Sequence, residues 1–259
     1  VIRKREDGYH DVETVFYPFA LRDVLEIVPA EETRLHTTGL AVAGNEQDNL
    51  IWKAYELLKE EVHGKIPALD IYLHKIIPMG AGLGGGSADG AFMLKLLNDF
   101  CKLDLSDERL AEYALKLGSD CPFFIYNKPK FGKGRGEQME DVNIDLSAYS
   151  IQLICPKVHV STAAAFSMIT PKAADHDLRQ LHTLPLEHWR EHIRNDFEVP
   201  VFKQHPVLAD IKQQLYDQGA IYAAMSGSGS ALFGIFLRSK KAEIKSGTEF
   251  SQFYTEFPG

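Results

Sequence analysis

Apolar residues along the chain recur with two periods, and each switch between them marks a change of element. Residues 12–20 and 24–28 read as strands, and Asp48 or Asn49 stands where it can cap an amphipathic helix carrying Leu50, Ile51, Ala54, Tyr55, Leu58 and Val62. Leu69, Ile71 and Leu73 alternate with Asp70, Tyr72 and His74, a strand period that ends at Pro78. After a glycine-rich turn, Ser87 is placed to cap a helix with Asp89 in its first turn and Ala91, Met93, Leu94, Leu97 and Phe100 on its apolar side. Ser106 caps a further helix through Leu110, Ala114 and Leu117 that stops at Gly118, predicted as a left-handed end residue, and delivers Asp120 to a loop. The pattern resets near 143–149, and 151–155 reads as a new buried strand. Beyond it come a polar helical stretch over 184–197 and a helix from Pro206 to Gly219. Two apolar strands, 220–225 and 231–237, flank Ser226-Gly227-Ser228-Gly229-Ser230. Strands interleaved with helices in both halves predict an α+β protein of two domains, residues 1–148 and 149–259.

Composition narrows the function. Against 36 acidic residues stand 28 Lys and Arg, a net charge of −8, which argues against a nucleic-acid or anionic-membrane partner. An anionic substrate must then be held by local devices. No apolar run approaches the roughly 18 residues of a spanning helix, and no apolar signal core follows Val1-Ile2-Arg3-Lys4-Arg5, so a soluble, cytoplasmic protein is expected. The chain opens on Val1 rather than Met, as a fragment whose first segment is absent would. Cys101, Cys121 and Cys155 lack C-x-x-C spacing and read as buried thiols.

The most informative segment is Pro78-Met79-Gly80-Ala81-Gly82-Leu83-Gly84-Gly85-Gly86-Ser87, between a strand and a helix start. Glycines there let backbone N–H groups curl around an anion while the helix start adds partial positive charge. Gly80, Gly82 and Gly85 also satisfy G-x-G-x-x-G, but Asp104, at the distance of a ribose-binding acid, follows no second strand; the Walker form lacks its Gly-Lys-Ser/Thr. A carboxylate at Asp120 is suited to accept a proton from an attacking hydroxyl, and a structural turn acid explains it equally well. Tyr9 and His10 offer a ring to stack a pyrimidine and an imidazole to bond its edge, or simply two half-buried rings at a hairpin turn. The 226–230 turn can donate to a phosphate or serve as a flexible hairpin. Gly132-Lys133-Gly134-Arg135-Gly136-Glu137 is a second basic turn, expected to be solvated surface.

On these residues the chain resembles the GHMP kinase superfamily, whose second motif is similar to Pro78 through Asp89. More narrowly, Asp7-Gly8-Tyr9-His10, Leu117-Gly118-Ser119-Asp120-Cys121-Pro122-Phe123-Phe124 and Met225-Ser226-Gly227-Ser228-Gly229-Ser230 together resemble one branch of it. That branch phosphorylates the 2-hydroxyl of 4-diphosphocytidyl-2-C-methyl-D-erythritol, in non-mevalonate isoprenoid synthesis. The resemblance spans nearly the whole chain. It implies an N-terminal domain like the second domain of ribosomal protein S5 and a ferredoxin-like C-terminal domain. It implies ATP bound by Pro78, Gly80, Gly82, Leu83, Gly84, Gly85, Gly86 and Ser87, with Asn49 near the adenine, although helix capping explains Asn49 equally. Asp120 becomes the catalytic base, Tyr9, His10 and Phe166 the cytidine site with Phe166 as the opposing ring, and Gly227, Ser228 and Gly229 a wall near the phosphates. Mg2+ is expected with the nucleotide, with no ligand readable, and the assembly as a monomer or homodimer.

The same resemblance calls for a Pro-x-Lys-x-Asn strand before Asp7, and the sequence starts too late to contain it. Lys4 does not inherit that lysine's role; an omitted or truncated segment is expected. Three alternatives stand beside this reading. Another GHMP kinase, for homoserine or a mevalonate derivative, leaves Tyr9, His10 and Phe166 without a reason, and a non-catalytic nucleotide-binding relative fits the absent lysine. His188-Trp189-Arg190-Glu191-His192 matches the H-x-x-E-H of a zinc hydrolase, but in a highly polar segment with no third ligand evident.

Overall fold

The alternating run that begins at Leu69 forms a strand buried along one face, and the polar residues between turn outward. The structure, a computed structural model, describes residues 1–257. In chain order its elements are β1 (Arg3–Lys4), β2 (His10–Phe16), β3 (Val24–Pro29), β4 (Arg34–Gly39), α1 (Leu50–Glu61), β5 (Leu69–Lys75), α2 (Gly85–Cys101), α3 (Asp107–Leu117), α4 (Cys121–Tyr126), β6 (Lys130–Gly134), β7 (Gln138–Asp141), β8 (Tyr149–Pro156), α5 (Thr162–Ser167), α6 (Trp189–His192), α7 (Glu198–Gln204), α8 (Pro206–Asp217), β9 (Tyr222–Met225), β10 (Leu232–Leu237) and β11 (Phe250–Glu256). Contacts group them into two units that interleave in sequence. A helical unit takes Arg22–Met79 and Gly84–Lys128, and a sheet unit takes Val1–Leu21, Gly80–Leu83 and the chain from Pro129 onward.

In the helical unit β5 lies between β3, antiparallel to it, and β4, parallel to it. Leu69, Ile71 and Leu73 face a core with Ile51, Ala54, Tyr55 and Leu58 of α1, Met93, Leu94 and Leu97 of α2, and Leu110 and Ala114 of α3. The capping expectations hold at two helices: Asn49 Oδ1 accepts from Ile51 N–H at 2.9 Å, and Ser106 Oγ accepts from Arg109 N–H at 3.3 Å. They fail at α2, which starts two residues before Ser87. Gly84, at φ +68°, occupies the cap position, because a left-handed glycine turns the chain into the helix without a capping side chain.

Gly118 also differs from expectation. Its N–H closes α3 on Ala114 O at 3.1 Å, but its φ of 173° is extended rather than left-handed. The chain turns at Ser119 and Asp120 and re-enters a helix at Cys121, so Asp120 stands in a two-residue turn at the head of α4 and its side chain makes no capping hydrogen bond. Pro122 does not prevent this, since the first helical turn needs no N–H from it.

The sheet unit holds two antiparallel four-stranded sheets, ordered β1-β2-β6-β7 and β11-β8-β10-β9. β8 is buried on both faces, and the buried Gln152 within it is satisfied by the Ala242 carbonyl and amide. Ile154 joins Leu208, Ile211 and Leu215 of α8 on one side, while Ile151 and Leu153 meet Trp189, Tyr222 and Ile235 on the other. The helix expected over 184–197 is broken into a short 3-10 turn and the four residues of α6, with Trp189 as its buried anchor. The basic turn at 132–137 proves to be the tip of the β6–β7 hairpin. Cys121 and Cys155 are buried and Cys101 half-buried. Among the described residues no helix is long and apolar enough to cross a membrane.

Leu94 is fully buried where α2 meets the core of the helical unit. Leu94→Ala should lower unfolding free energy by about 2–5 kcal/mol, read by urea denaturation, and a loss below about 1 kcal/mol would contradict this packing.

Candidate active site

The phosphate-loop candidate has a definite backbone form. Gly80, Gly82 and Gly84 take φ of +68°, +76° and +68°, with Ala81 and Leu83 between them outside the left-handed region. Alternation of this kind turns successive amides toward one concave side, the geometry of an anion nest. The nest runs into the start of α2, where Gly85, Gly86 and Ser87 carry amides that a helix leaves without internal partners; pairing begins with Ala88 N–H on Gly84 O at 2.8 Å. These amides leave a partial positive charge at the start of α2.

Beneath this helix start lies a buried charge cluster that sequence reasoning missed. Lys75, the last inward position of β5, is 1% exposed. Its Nζ donates to Asp23 Oδ2 at 2.5 Å and to Asp89 Oδ2 at 2.7 Å. Asp23 Oδ1 also accepts the amides of Ile76 and Ile77, at 2.5 and 2.8 Å. Gly85 must lack a side chain, since a Cβ there would stand 2.9 Å from Ile77 and 3.1 Å from Lys75 Nζ. Burial, opposed by the Lys75 hydrogen bond and charge, raises the Asp89 carboxyl to about 6. Burial also works against ionisation of Asp23, but its bonds from Lys75, Ile77 and Ile76 prevail and its pKa falls below the usual carboxylate value.

Asp120 stays solvent-accessible at the head of α4, while surrounding protein desolvates its carboxyl and raises its pKa. A raised pKa makes it a stronger proton acceptor when ionised. Next to it the buried Cys121 thiol is pushed up to about 11 by burial, against a hydrogen bond with Ser87, and so stays protonated. Asn49 serves as the cap of α1.

In the sheet unit, Tyr9 and His10 follow the Asp7-Gly8 turn of the β1–β2 hairpin, with Gly8 at φ +86°. Tyr9 is 55% exposed, and the Arg135 guanidinium, carried by the β6–β7 tip, lies 4.9 Å over its ring. Phe166 stacks directly on His10, with centroids 5.0 Å apart and planes inclined by 22°. Phe166 thus lies against the imidazole face. Gly227, Ser228 and Gly229 form the β9–β10 turn, which docks on the first half of the glycine loop. Ser226 Oγ donates to Gly82 O at 2.8 Å, and Ala231 N–H donates to Ala81 O at 3.0 Å. A Cβ on Gly82 would lie 2.1 Å from Ser226 O, so only glycine admits this approach. Ser228 Oγ and Thr162 Oγ1 share a hydrogen bond at 3.0 Å. Lys133 is engaged by Glu140 at 2.7 Å, and His188 and His192 are exposed. Among the described residues no three His, Cys, Asp or Glu cluster as metal ligands.

The α+β architecture, with its glycine-rich turn before α2, belongs to a GHMP-type kinase. The GHMP kinases N terminal domain matches residues 49–128 and the GHMP kinases C terminal domain matches residues 171–247. A 4-diphosphocytidyl-2-C-methyl-D-erythritol kinase of Bacteroides fragilis is 51% identical over 93% of this chain and 89% of its own length. One from Parabacteroides distasonis is 50% identical over 97% and 91%. The solved structure of a 4-(cytidine 5'-diphospho)-2C-methyl-D-erythritol kinase superposes with a TM-score of 0.77 at 30% identity, covering 91% of this chain and 84% of that one. A homoserine kinase from Cytophaga hutchinsonii, 14% identical, shares the fold at a TM-score of 0.71 over 95% of each chain. The chain belongs to the family of 4-diphosphocytidyl-2-C-methyl-D-erythritol kinases.

The charge cluster predicts a pH effect. Asp89 titrates higher in the fold than its ordinary 3.8, so its contribution to stability is full below about pH 4 and is lost as pH rises through about 6. Asp23, with a lowered pKa, acts in the opposite sense and loses its contribution as pH falls. Asp89→Asn keeps an acceptor for Lys75 and removes the titration. Urea denaturation between about pH 4 and 6 should show the variant's stability declining less with rising pH than the parent's. An identical slope would contradict the assignment.

Proposed function

We propose that this kinase transfers the γ-phosphoryl group of ATP to the 2-hydroxyl of 4-diphosphocytidyl-2-C-methyl-D-erythritol. The alternating left-handed glycines that open onto α2 carry the reading, because they offer a ready cradle for the nucleotide phosphates. ATP lies with its phosphates on Pro78, Gly80, Gly82, Leu83, Gly84, Gly85, Gly86 and Ser87, and its adenine near Asn49. Asp120 accepts the hydroxyl proton as the new O–P bond forms and the bond to the β-phosphate oxygen breaks, releasing ADP. Tyr9 offers its exposed ring to the cytosine, His10 a ring nitrogen to its polar edge, and Phe166 backs the imidazole. Gly227, Ser228 and Gly229 close the wall beside the phosphates. Magnesium accompanies ATP, neutralising phosphate charge, and no residue of this chain is assigned as its ligand. The reading keeps a division into domains 1–148 and 149–259, a cytoplasmic setting, and a monomer or homodimer as the assembly.

The relatives' names and the acidic composition support this reading, and two variants test it. Asp120→Asn should lower kcat by about 10²- to 10⁴-fold while ATP affinity stays within a few-fold. Tyr9→Ala should raise KM for the cytidyl acceptor about tenfold, as loss of a base stack would, and leave KM for ATP unchanged. Full turnover by Asp120→Asn would remove the base, and an unchanged acceptor KM in Tyr9→Ala would remove the pyrimidine site.

A further inference from the structure

Residues 195–198 belong to none of the motifs above, yet they hold the β9–β10 turn by its backbone. Asn195 Nδ2 donates to Met225 O and to Gly227 O, both at 2.7 Å, and Asn195 Oδ1 accepts from Phe197 N–H at 2.9 Å. An amide has two N–H donors, so both are committed and the side chain's orientation is fixed. Glu198, buried at the start of α7, accepts Met225 N–H on Oε1 at 2.8 Å and Lys212 Nζ on Oε2 at 2.5 Å. One short segment therefore grips Met225 by its amide and its carbonyl, just where the chain leaves β9 for the turn.

The grip extends in two directions within the sheet unit. Through Ser226 and Ala231 it reaches Gly82 O and Ala81 O of the glycine loop, at the approach that excludes any Cβ on Gly82. Through Phe197 it reaches the aromatic site: Phe197 meets Phe166 edge to face at 4.8 Å, and Phe166 stacks on His10 at 5.0 Å. A rigid hydrogen-bonded turn thus lies between two sets of residues proposed to hold different substrates.

We propose that Asn195 and Glu198 are positioning residues that couple the acceptor's cytidine site to Ala81 and Gly82 of the phosphate loop, so that each substrate strengthens binding of the other. The inference rests on the functional reading above. Because the turn is held as one hydrogen-bonded piece, a ligand that sets the position of His10 and Phe166 sets that of Phe197, the Asn195 amide and the turn against Ala81 and Gly82, so both ligands favour the same placement of the turn. The coupling is reciprocal by thermodynamic linkage.

The test uses calorimetry on the full-length protein with a non-hydrolysable β,γ-imido ATP analogue, Mg2+ and the cytidyl acceptor, each ligand titrated alone and with the other present. The parent should bind each about fivefold or more tightly in the presence of the other, by the same factor both ways. Asn195→Ala, and Asn195→Asp, which keeps the acceptor for Phe197 and loses both donors, should bring that factor close to one. Phe197→Leu breaks the aromatic link while leaving the turn's hydrogen bonds in place, and should do the same even if Asn195→Ala fails to fold. A merely structural role predicts lower melting temperatures with the coupling factor intact. Coupling retained in the folded variants, or absent from a parent that binds both ligands, overturns the inference and leaves the functional reading standing. A parent that binds the ATP analogue but not the acceptor overturns that reading, and the inference with it.

Discussion

The ammonium of Lys75 closes the buried face of β5, and the start of α2 in the helical unit is held around it. A charge with no access to water must keep its partners, since removing one from a buried pair costs about 3–5 kcal/mol. Here the partners come from three places: Asp23 just before β3, Asp89 in α2, and, through Asp23, the amides that succeed β5. The start of α2 is therefore tied to the sheet by fully paired polar groups rather than by apolar packing, which glycines cannot provide. Two carboxylates share one ammonium, and burial, with a smaller part from the Asp23 charge, raises the carboxyl of Asp89.

The first half of the glycine loop is held differently, by neutral hydrogen bonds and a backbone approach that only Gly82 permits. Its partner is the β9–β10 turn, whose own shape depends on Asn195 and Glu198. A flexible sequence is thus given one conformation by its surroundings, which lowers the entropy lost when an anion binds. The fold itself is shared with a homoserine kinase at 14% identity. In the proposed reading acceptor choice rests on the exposed Tyr9 and the His10–Phe166 stack, aromatic surface suited to a pyrimidine.

Local chemistry made much of this legible. The alternation of Leu69, Ile71 and Leu73, the caps at Asn49 and Ser106, and the helix opening at Pro206 need only nearest neighbours, and the structure has all of them. The glycine loop was legible because Gly80, Gly82, Gly84, Gly85 and Gly86 fall together between a strand and a helix. Two misplaced features share one cause, a glycine or proline whose role depends on the residues next along the chain: Gly84 caps α2 in place of Ser87, and Pro122 sits in the first turn of a helix that starts at Cys121 rather than preventing one. The charge cluster could not be read at all, because Lys75 meets Asp89 across 14 residues and Asp23 across 52, and a lone lysine ending a strand reads as solvated. Asn195 was hidden likewise inside a polar stretch, its targets 30 and 32 residues away.

The most direct test of the central claim is acceptor choice. The full-length protein, given γ-labelled ATP and an equimolar mixture of 4-diphosphocytidyl-2-C-methyl-D-erythritol, homoserine and mevalonate, should label the cytidyl compound alone, on its 2-oxygen. Label on homoserine or mevalonate, or on none of the three while ATP is bound, would contradict the account.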